Sequence, residues 1–465
     1  MLDQEGWPAL LEAIKTLDAG FSGLPVHENS APGIERLAEV LNATAERLQD
    51  NYPYFHPLYA GQMLKPPHPV ARLAYALAMW INPNNHALDG GRATSAMEKE
   101  AVAEIAAMYG WKNFLGHLCG GGTMANLEAL WVAGQLHPEK KILASEQAHY
   151  THKRISGVLQ LEFEAVPCDA RGRMDAGALA KRAERGDVGT VVATMGTTAT
   201  GSVDPLPEVL ALSEKHGFRV HADAAYGGYF VLTDNLGEVA ERAFRRMGEA
   251  DSIVIDPHKH GLQPYGCGCV LFRDPEVGRL YKHDSPYTYF SSAELHLGEI
   301  SLECSRPGAA AAALWATQRL LPLEKGGEFA HGMERGRKAA LALFEKLRGD
   351  ARFVTAFAPE LDIVVFVPKA ASVSEASVLS RKIFASAAKR DLHLAVAELP
   401  ARFWEANLGT TKPDRETITC LRSVLMKPEH SDWIGRIWDL LSSSADEILG
   451  AHDRSPQPMP ANPIQ

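Results

Sequence analysis

Lys259 lies in Asp251–Gly261, DSIVIDPHKHG, directly after an apolar, β-branched run. An amine at the end of a buried strand sits where a ligand would be, and partial desolvation lowers its pKa so that it can form an imine with a carbonyl. A single lysine in a loop would be ordinary, but a second group accompanies it. Upstream, Arg219–Tyr229, RVHADAAYGGY, reads as a strand that ends on Asp223 and runs into a Gly-Gly turn. A carboxylate there can pair with a protonated ring nitrogen, and the small Ala225 lets a flat ring lie against the strand end. Asp223 also has a plain reading as a turn or cap residue. Taken together, Asp223 and Lys259 are the pair that pyridoxal phosphate chemistry requires, an imine-forming amine and a partner for the pyridinium nitrogen.

Two more segments suit such a cofactor. Leu118–Leu130, LCGGGTMANLEAL, sets three glycines and a threonine before a helical pattern. Glycines let backbone approach a phosphate, and the first N–H groups and dipole of the helix favour an anion. No Gly-Lys-Ser/Thr follows, so it is not a P-loop. Ser145–His152, SEQAHYTH, offers His149, whose imidazole can stack on a ring. His149 with His152, and His258 with His260 beside Cys267 and Cys269, invite a metal reading. No tetrahedral set at a familiar spacing and no HExxH occurs, so zinc is rejected.

The elements that must carry these groups alternate. Strands are expected at Lys141–Ala144, Glu162–Pro167, Thr190–Met195, Arg219–Ala222, Ser252–Ile255 and Cys269–Phe272, with helices at Ala125–Leu136, Ala176–Arg185 and Leu206–His216. That pattern predicts an α/β domain with a mostly parallel sheet and ligands at the carboxyl ends of its strands. Expected boundaries are a helical N-terminal segment over 1–85, a large cofactor-binding domain over 86–330, a small α+β domain over 331–452 and a flexible tail over 453–465. In the small domain, Phe353–Phe357, Ile363–Val367, Leu392–Ala397 and Leu421–Leu425 read as strands, and Glu375–Lys389 and Ser431–Leu449 as helices.

The composition is that of an ordinary globular protein, with 46% hydrophobic and 22% charged residues in a chain of 465. A net charge of −10 gives no basic footprint for nucleic acid. No apolar run is long enough to span a bilayer, the first residues do not read as a secretory signal, and six cysteines make no disulfide framework. A cytoplasmic protein is expected.

The ordered motifs resemble the group II pyridoxal-phosphate-dependent amino acid decarboxylases, the family of the aromatic amino acid, glutamate and cysteine sulfinate decarboxylases. The resemblance implies the aspartate aminotransferase-like fold, type I, and the following roles. Lys259 is similar to the imine-forming lysine, with His258 beside it. Asp223 resembles the pyridinium partner, with Ala225 beneath the ring and His149 stacked above. Thr198, in MGTTATGSVDP, matches a residue near the ring hydroxyl. Gly122 and Thr123 match the phosphate turn, with Asn126 as a weaker candidate and Asp256 near the phosphate. His260 departs from animal members, which usually carry tryptophan there. Ser301–Gly308, SLECSRPG, resembles a segment of the archaeal-type tyrosine/aspartate decarboxylases and of sphingosine phosphate lyase that reaches the phosphate of the neighbouring subunit. Ser305 and Arg306 are therefore candidates, and a homodimer with shared active sites is implied. For Arg306 a surface ion pair is the alternative.

The expected reaction is α-decarboxylation of an L-amino acid, with Tyr287 or Tyr289, in YKHDSPYTYF, as proton donor to Cα or as an interfacial residue. Arg422, in CLRSVLMKP, resembles an arginine that meets a substrate carboxylate, and it can equally pair with an acid near the core. Asn84, Asn85 and His86, in WINPNNHALDGG, correspond to a stretch lining the substrate pocket, or are turn residues. Acidic and aromatic substrates both stay open. A carbon–carbon lyase of the sphingosine-phosphate-lyase type is the second reading, although no basic cluster for a substrate phosphate is evident.

Overall fold

The computed structural model describes residues 5–25, 33–282, 295–409 and 411–453. Four helices come first, α1 (Trp7–Ala19), α2 (Ile34–Leu48), α3 (Pro69–Met79) and α4 (Leu88–Met108). A seven-stranded sheet follows from β1 (Leu115–Cys119), β2 (Lys141–Ser145), β3 (Phe163–Val166), β4 (Val188–Thr194), β5 (Arg219–Asp223), β6 (Ser252–Ile255) and β7 (Gly268–Phe272). Helices α5 (Gly122–Leu136), α6 (Thr151–Val158), α7 (Ala176–Ala183), α8 (Leu206–His216) and α9 (Glu238–Arg245) join its strands, and α10 (Gly308–Leu320) packs on α3 and α4.

The strand order is β1-β7-β6-β5-β4-β2-β3. Strands β3, β2, β4, β5 and β6 pair in parallel, while β7 runs antiparallel to both β6 and β1. The carboxyl ends of β1, β2, β4, β5 and β6 therefore open on one edge of the sheet. Central β4, VGTVVAT, is buried at all seven positions, as a strand covered on both faces must be. The β-branched runs in the sequence mark these strands for that reason.

A second, antiparallel sheet of order β10-β11-β9-β8 is formed by β8 (Phe353–Thr355), β9 (Ile363–Pro368), β10 (Ala395–Pro400) and β11 (Thr417–Val424). It is packed by α11 (Glu328–Arg348) and α12 (Val373–Ala388), on which α13 (His430–Asp453) lies. Strand β10 begins three residues later than expected and β11 four residues earlier, because Thr417–Arg422 pairs in register with Pro400–Ala395. Strand β1 was not anticipated. Its central His117 is fully buried and satisfied by Glu128 of α5 at 3.0 Å, a pairing that apolar periodicity does not register.

Candidate active site

A cavity of about 510 Å³ lies at the shared edge of the sheet. Its walls come from residues just beyond five strand ends: Gly120–Thr123 and Asn126 after β1, His149 after β2, Thr198 after β4, Asp223 and Ala225 at β5, and Asp256, His258 and Lys259 after β6. The fold thus brings ten of the expected residues to one cavity from segments far apart in sequence.

Asp223 is buried at the end of β5. Its Oδ2 accepts from Nε2 of fully buried His152 at 2.8 Å, and its Oδ1 accepts from the Ala225 backbone N–H at 3.2 Å. Burial alone would raise the carboxyl pKa. The His152 hydrogen bond and the charges of His152, His221 and Lys259 outweigh it and hold Asp223 well below the usual range. His221, two residues earlier, has its pKa pushed down to about 3 by burial. It is held by Asn126 and Ser252, each at 2.8 Å, so Asn126 braces the strand as well as lining the cavity. The result is a carboxylate held toward its ionised form, facing the cavity.

His149 is half-buried, and burial, with the charges of Lys259 and His152, depresses its pKa. Its Nδ1 lies 2.6 Å from Thr151 Oγ1 at the start of α6, which orients a neutral ring toward the cavity. Lys259 Nζ sits 3.0 Å from Asp256 Oδ2, with His258 Nε2 at 3.6 Å from the same oxygen.

At the other end, the N-terminus of α5 opens onto the cavity and no side chain caps it. Gly121 there adopts φ +145°, a conformation side chains rarely take. A Cβ on Gly122 would stand 2.6 Å from Asp256 Oδ2. Buried Asp256 Oδ1 and His258 Nδ1 have no hydrogen-bond partner. An uncapped helix terminus for a phosphate, an ionised carboxylate for a protonated ring nitrogen, small Ala225 and a lysine within the same walls are the donor set that pyridoxal phosphate needs. The residues present fit that group.

Some expected residues lie elsewhere. Among the described residues that line the cavity, Asn85, His86, Ser305 and Arg422 do not appear. Arg422 is buried and donates to the carbonyls of Thr198, Ala199 and Gly61 and to Gln62 Oε1, so it clamps the Thr198 loop. Fully buried Asn85 is consumed by Glu98 and Thr94. The His86 carbonyl accepts from the Gly298 N–H, and Ser305 Oγ accepts from Asn84 at 3.2 Å. The surface ion pair considered for Arg306 is instead buried: Nη1 reaches Glu98 at 2.9 Å and the Leu118 carbonyl at 2.6 Å, fixing the end of β1. Tyr287 and Tyr289 lie outside the described residues.

Other site residues went unrecognised in the sequence. His152 was weighed only as a metal ligand, yet it lies one helical turn beyond His149 and meets Asp223 across 71 residues. Glu303, within SLECSRPG, lines the cavity and accepts from the Gly120 N–H at 3.0 Å. Among the described residues no group of three or more His, Cys, Asp or Glu is arranged to hold a metal, and no helix is long and apolar enough to cross a membrane.

The conserved domain of pyridoxal-dependent decarboxylases matches residues 51–369. L-tyrosine decarboxylase of Enterococcus faecium is 30% identical over 394 residues, covering 63% of this chain and 64% of that enzyme. The chain thus spans just under two-thirds of that relative's length. A probable L-tyrosine/L-aspartate decarboxylase of Methanothermobacter thermautotrophicus is 29% identical over 316 residues, 66% of this chain and 82% of the relative. Among solved structures, mouse CSAD in apo form superposes with a TM-score of 0.74 at 19% identity, covering 94% of this chain and 99% of that one. Oryza sativa TDC with PLP and tryptamine gives 0.74 at 19%, covering 96% and 99%. At that identity the structures speak for the fold, which is the type I α/β architecture with its second, smaller sheet. The domain match takes in most of the chain, and the protein belongs to the pyridoxal-dependent decarboxylase family.

Proposed function

We propose that this chain uses pyridoxal phosphate to decarboxylate an L-amino acid, releasing CO₂ and the primary amine. The observation that carries the reading is the convergence of Lys259, Asp223 and His149 on one cavity beside the α5 N-terminus. When bound, the cofactor supplies the electron sink for the pair left at Cα as CO₂ departs.

The chain's residues divide the remaining work. Lys259 provides the amine that anchors the cofactor's aldehyde, and Asp256 at 3.0 Å steers its Nζ. Asp223, kept ionised by His152, holds the proton on the ring nitrogen. Neutral His149 offers a flat face that brings no like charge to that proton. Gly121, Gly122, Thr123 and the free N–H groups of α5 hold the phosphate. Thr198, its carbonyl gripped by Arg422 at 2.6 Å, would serve the ring hydroxyl, the role that the family likeness implies. Tyr287 or Tyr289 returns a proton to Cα, a role supported by family likeness alone.

Decarboxylase relatives favour this chemistry over the carbon–carbon lyase reading. Their names direct the choice of substrate to L-tyrosine and L-aspartate, one aromatic and one acidic. A homodimer accords with α2, which buries none of its residues and leaves Ile34, Leu37, Leu41 and Leu48 exposed along one side, an apolar stripe suited to a second copy. The Lys259→Ala variant tests the core of the proposal. It is expected to lose both CO₂ release and the cofactor's imine absorbance, and full turnover in that variant would refute the assignment.

A further inference from the structure

A second cavity, of about 570 Å³, lies behind the lysine segment, where residues 65–69, the start of α11 and the turn after β11 meet. Lys65 and Lys427 both line it, and Lys427 is almost fully buried. Among the described residues neither ammonium has a carboxylate within ion-pair distance. Lys427 Nζ donates to the Tyr59 carbonyl at 2.6 Å, and Lys65 Nζ lies 3.4 Å from the Met426 carbonyl. Each ammonium carries three donors and has one hydrogen-bond acceptor among the described residues, and Lys427 Nζ also lies 5.2 Å from the Tyr59 ring centroid. His260 lines the same cavity, 1% exposed, with no hydrogen bond at either ring nitrogen, although Nε2 lies 3.3 Å from Asp362.

Other charges also surround the cavity, and the Glu429 carboxylate acts on both lysines and Asp362 on Lys65 from beyond ion-pair distance. Glu328 is the first residue of α11, and Glu429 immediately precedes α13, so both face helix N-termini that favour an acid. Arg335 is paired with Asp432 at 2.6 Å. The two neighbouring lysines stand under desolvation with no carboxylate in direct contact among the described residues, and burial pushes Lys65 down to about 8 and Lys427 to about 7. Two neighbouring ammonium groups under desolvation are relieved either by losing a proton or by taking up an anion between them, and the anion restores the charge on both.

We propose that this cavity is a binding site for a small oxyanion, a phosphate or a carboxylate, held between the side chains of Lys65 and Lys427. The site is separate from the cofactor cavity, and the proposal does not depend on the catalytic assignment. An anion there also braces residues 59–65, whose middle is held by Arg422 through the Gly61 carbonyl and Gln62 Oε1.

The test uses cofactor-loaded protein, so that the cofactor's own phosphate site is filled, at constant ionic strength. Titration calorimetry with inorganic phosphate, and separately with succinate, is expected to give saturable binding of one anion per chain for at least one probe. Phosphate alone would mark the ligand as a phosphate, and succinate alone as a carboxylate. Lys65→Met and Lys427→Met are each expected to weaken binding about tenfold or more. Binding of neither anion, or undiminished binding in both variants, would overturn the proposal. If a variant fails to fold, amine-reactive labelling of the unaltered holoenzyme decides. The bound probe is expected to slow modification of Lys65 and Lys427, and equal labelling with and without it would overturn the proposal.

Discussion

Replacing His152 with leucine removes the stronger of the two donors that hold the Asp223 carboxylate, the 2.8 Å bond to Oδ2, and leaves the 3.2 Å backbone bond to Oδ1. The substitution deletes both the His152 hydrogen bond, worth about 1.5–3 kcal/mol or roughly one to two pK units, and the His152 charge. Burial, which raises a fully buried carboxyl by up to about 3–5 pK units, stays in place. Burial then acts with less opposition. Asp204 indicates where this leads, because burial pushes it up to about 7 even though the Met174 and Thr194 backbone N–H groups both donate to it. In the unaltered protein Asp223 is held low, so its ionised form is complete from about pH 5.5 to 8 and contributes no pH dependence to cofactor binding. In His152→Leu the ionised fraction, and with it the affinity for a cofactor protonated at its ring nitrogen, falls as pH drops through the raised pKa, by up to about tenfold per unit. The assay is the ratio of variant to unaltered cofactor dissociation constants across that range. It is expected to grow toward low pH and to return close to one in His152→Gln, which keeps an N–H donor. A ratio constant with pH would mean that His152 only fills space, and the electrostatic account of Asp223 would be wrong.

Two further outcomes follow from the same geometry. Gly122→Ala places a Cβ 2.6 Å from Asp256 Oδ2 and is expected to weaken cofactor binding about tenfold, as overpacking of 1–3 kcal/mol would, measured by equilibrium dialysis with the fold intact by circular dichroism. Arg306→Met leaves Glu98 buried without its ion-pair partner and is expected to cost about 3–5 kcal/mol in urea unfolding, whereas a neutral result would show the pair to be dispensable.

Much of the seven-stranded sheet was legible because its central strands are buried on both faces. Ser252–Ile255 coincides with the expected strand, and β2 and β5 each run one residue further. Asp223 and Lys259 stood out because they follow apolar runs, where a sheet delivers ligands. What stayed hidden depends on pairings across long sequence separations. His117 with Glu128 conceals β1, His152 with Asp223 spans 71 residues, and Arg306 finds Glu98 across 208. For Arg422 the sequence offers a substrate carboxylate or an acid near the core as partner, and side-chain direction gives it neither among the described residues. From β11 it reaches loop carbonyls rather than the open cavity. The edges of β10 and β11 shifted because register, set by cross-strand pairing, overrode the local apolar pattern.

The central claim is tested most directly by supplying cofactor-loaded protein with L-tyrosine and L-aspartate, then the other protein amino acids, cysteine sulfinate and DOPA, while measuring CO₂ and amine together. The account predicts stoichiometric CO₂ and the matching amine from at least one of them. A cofactor imine band with no CO₂ from any would contradict it.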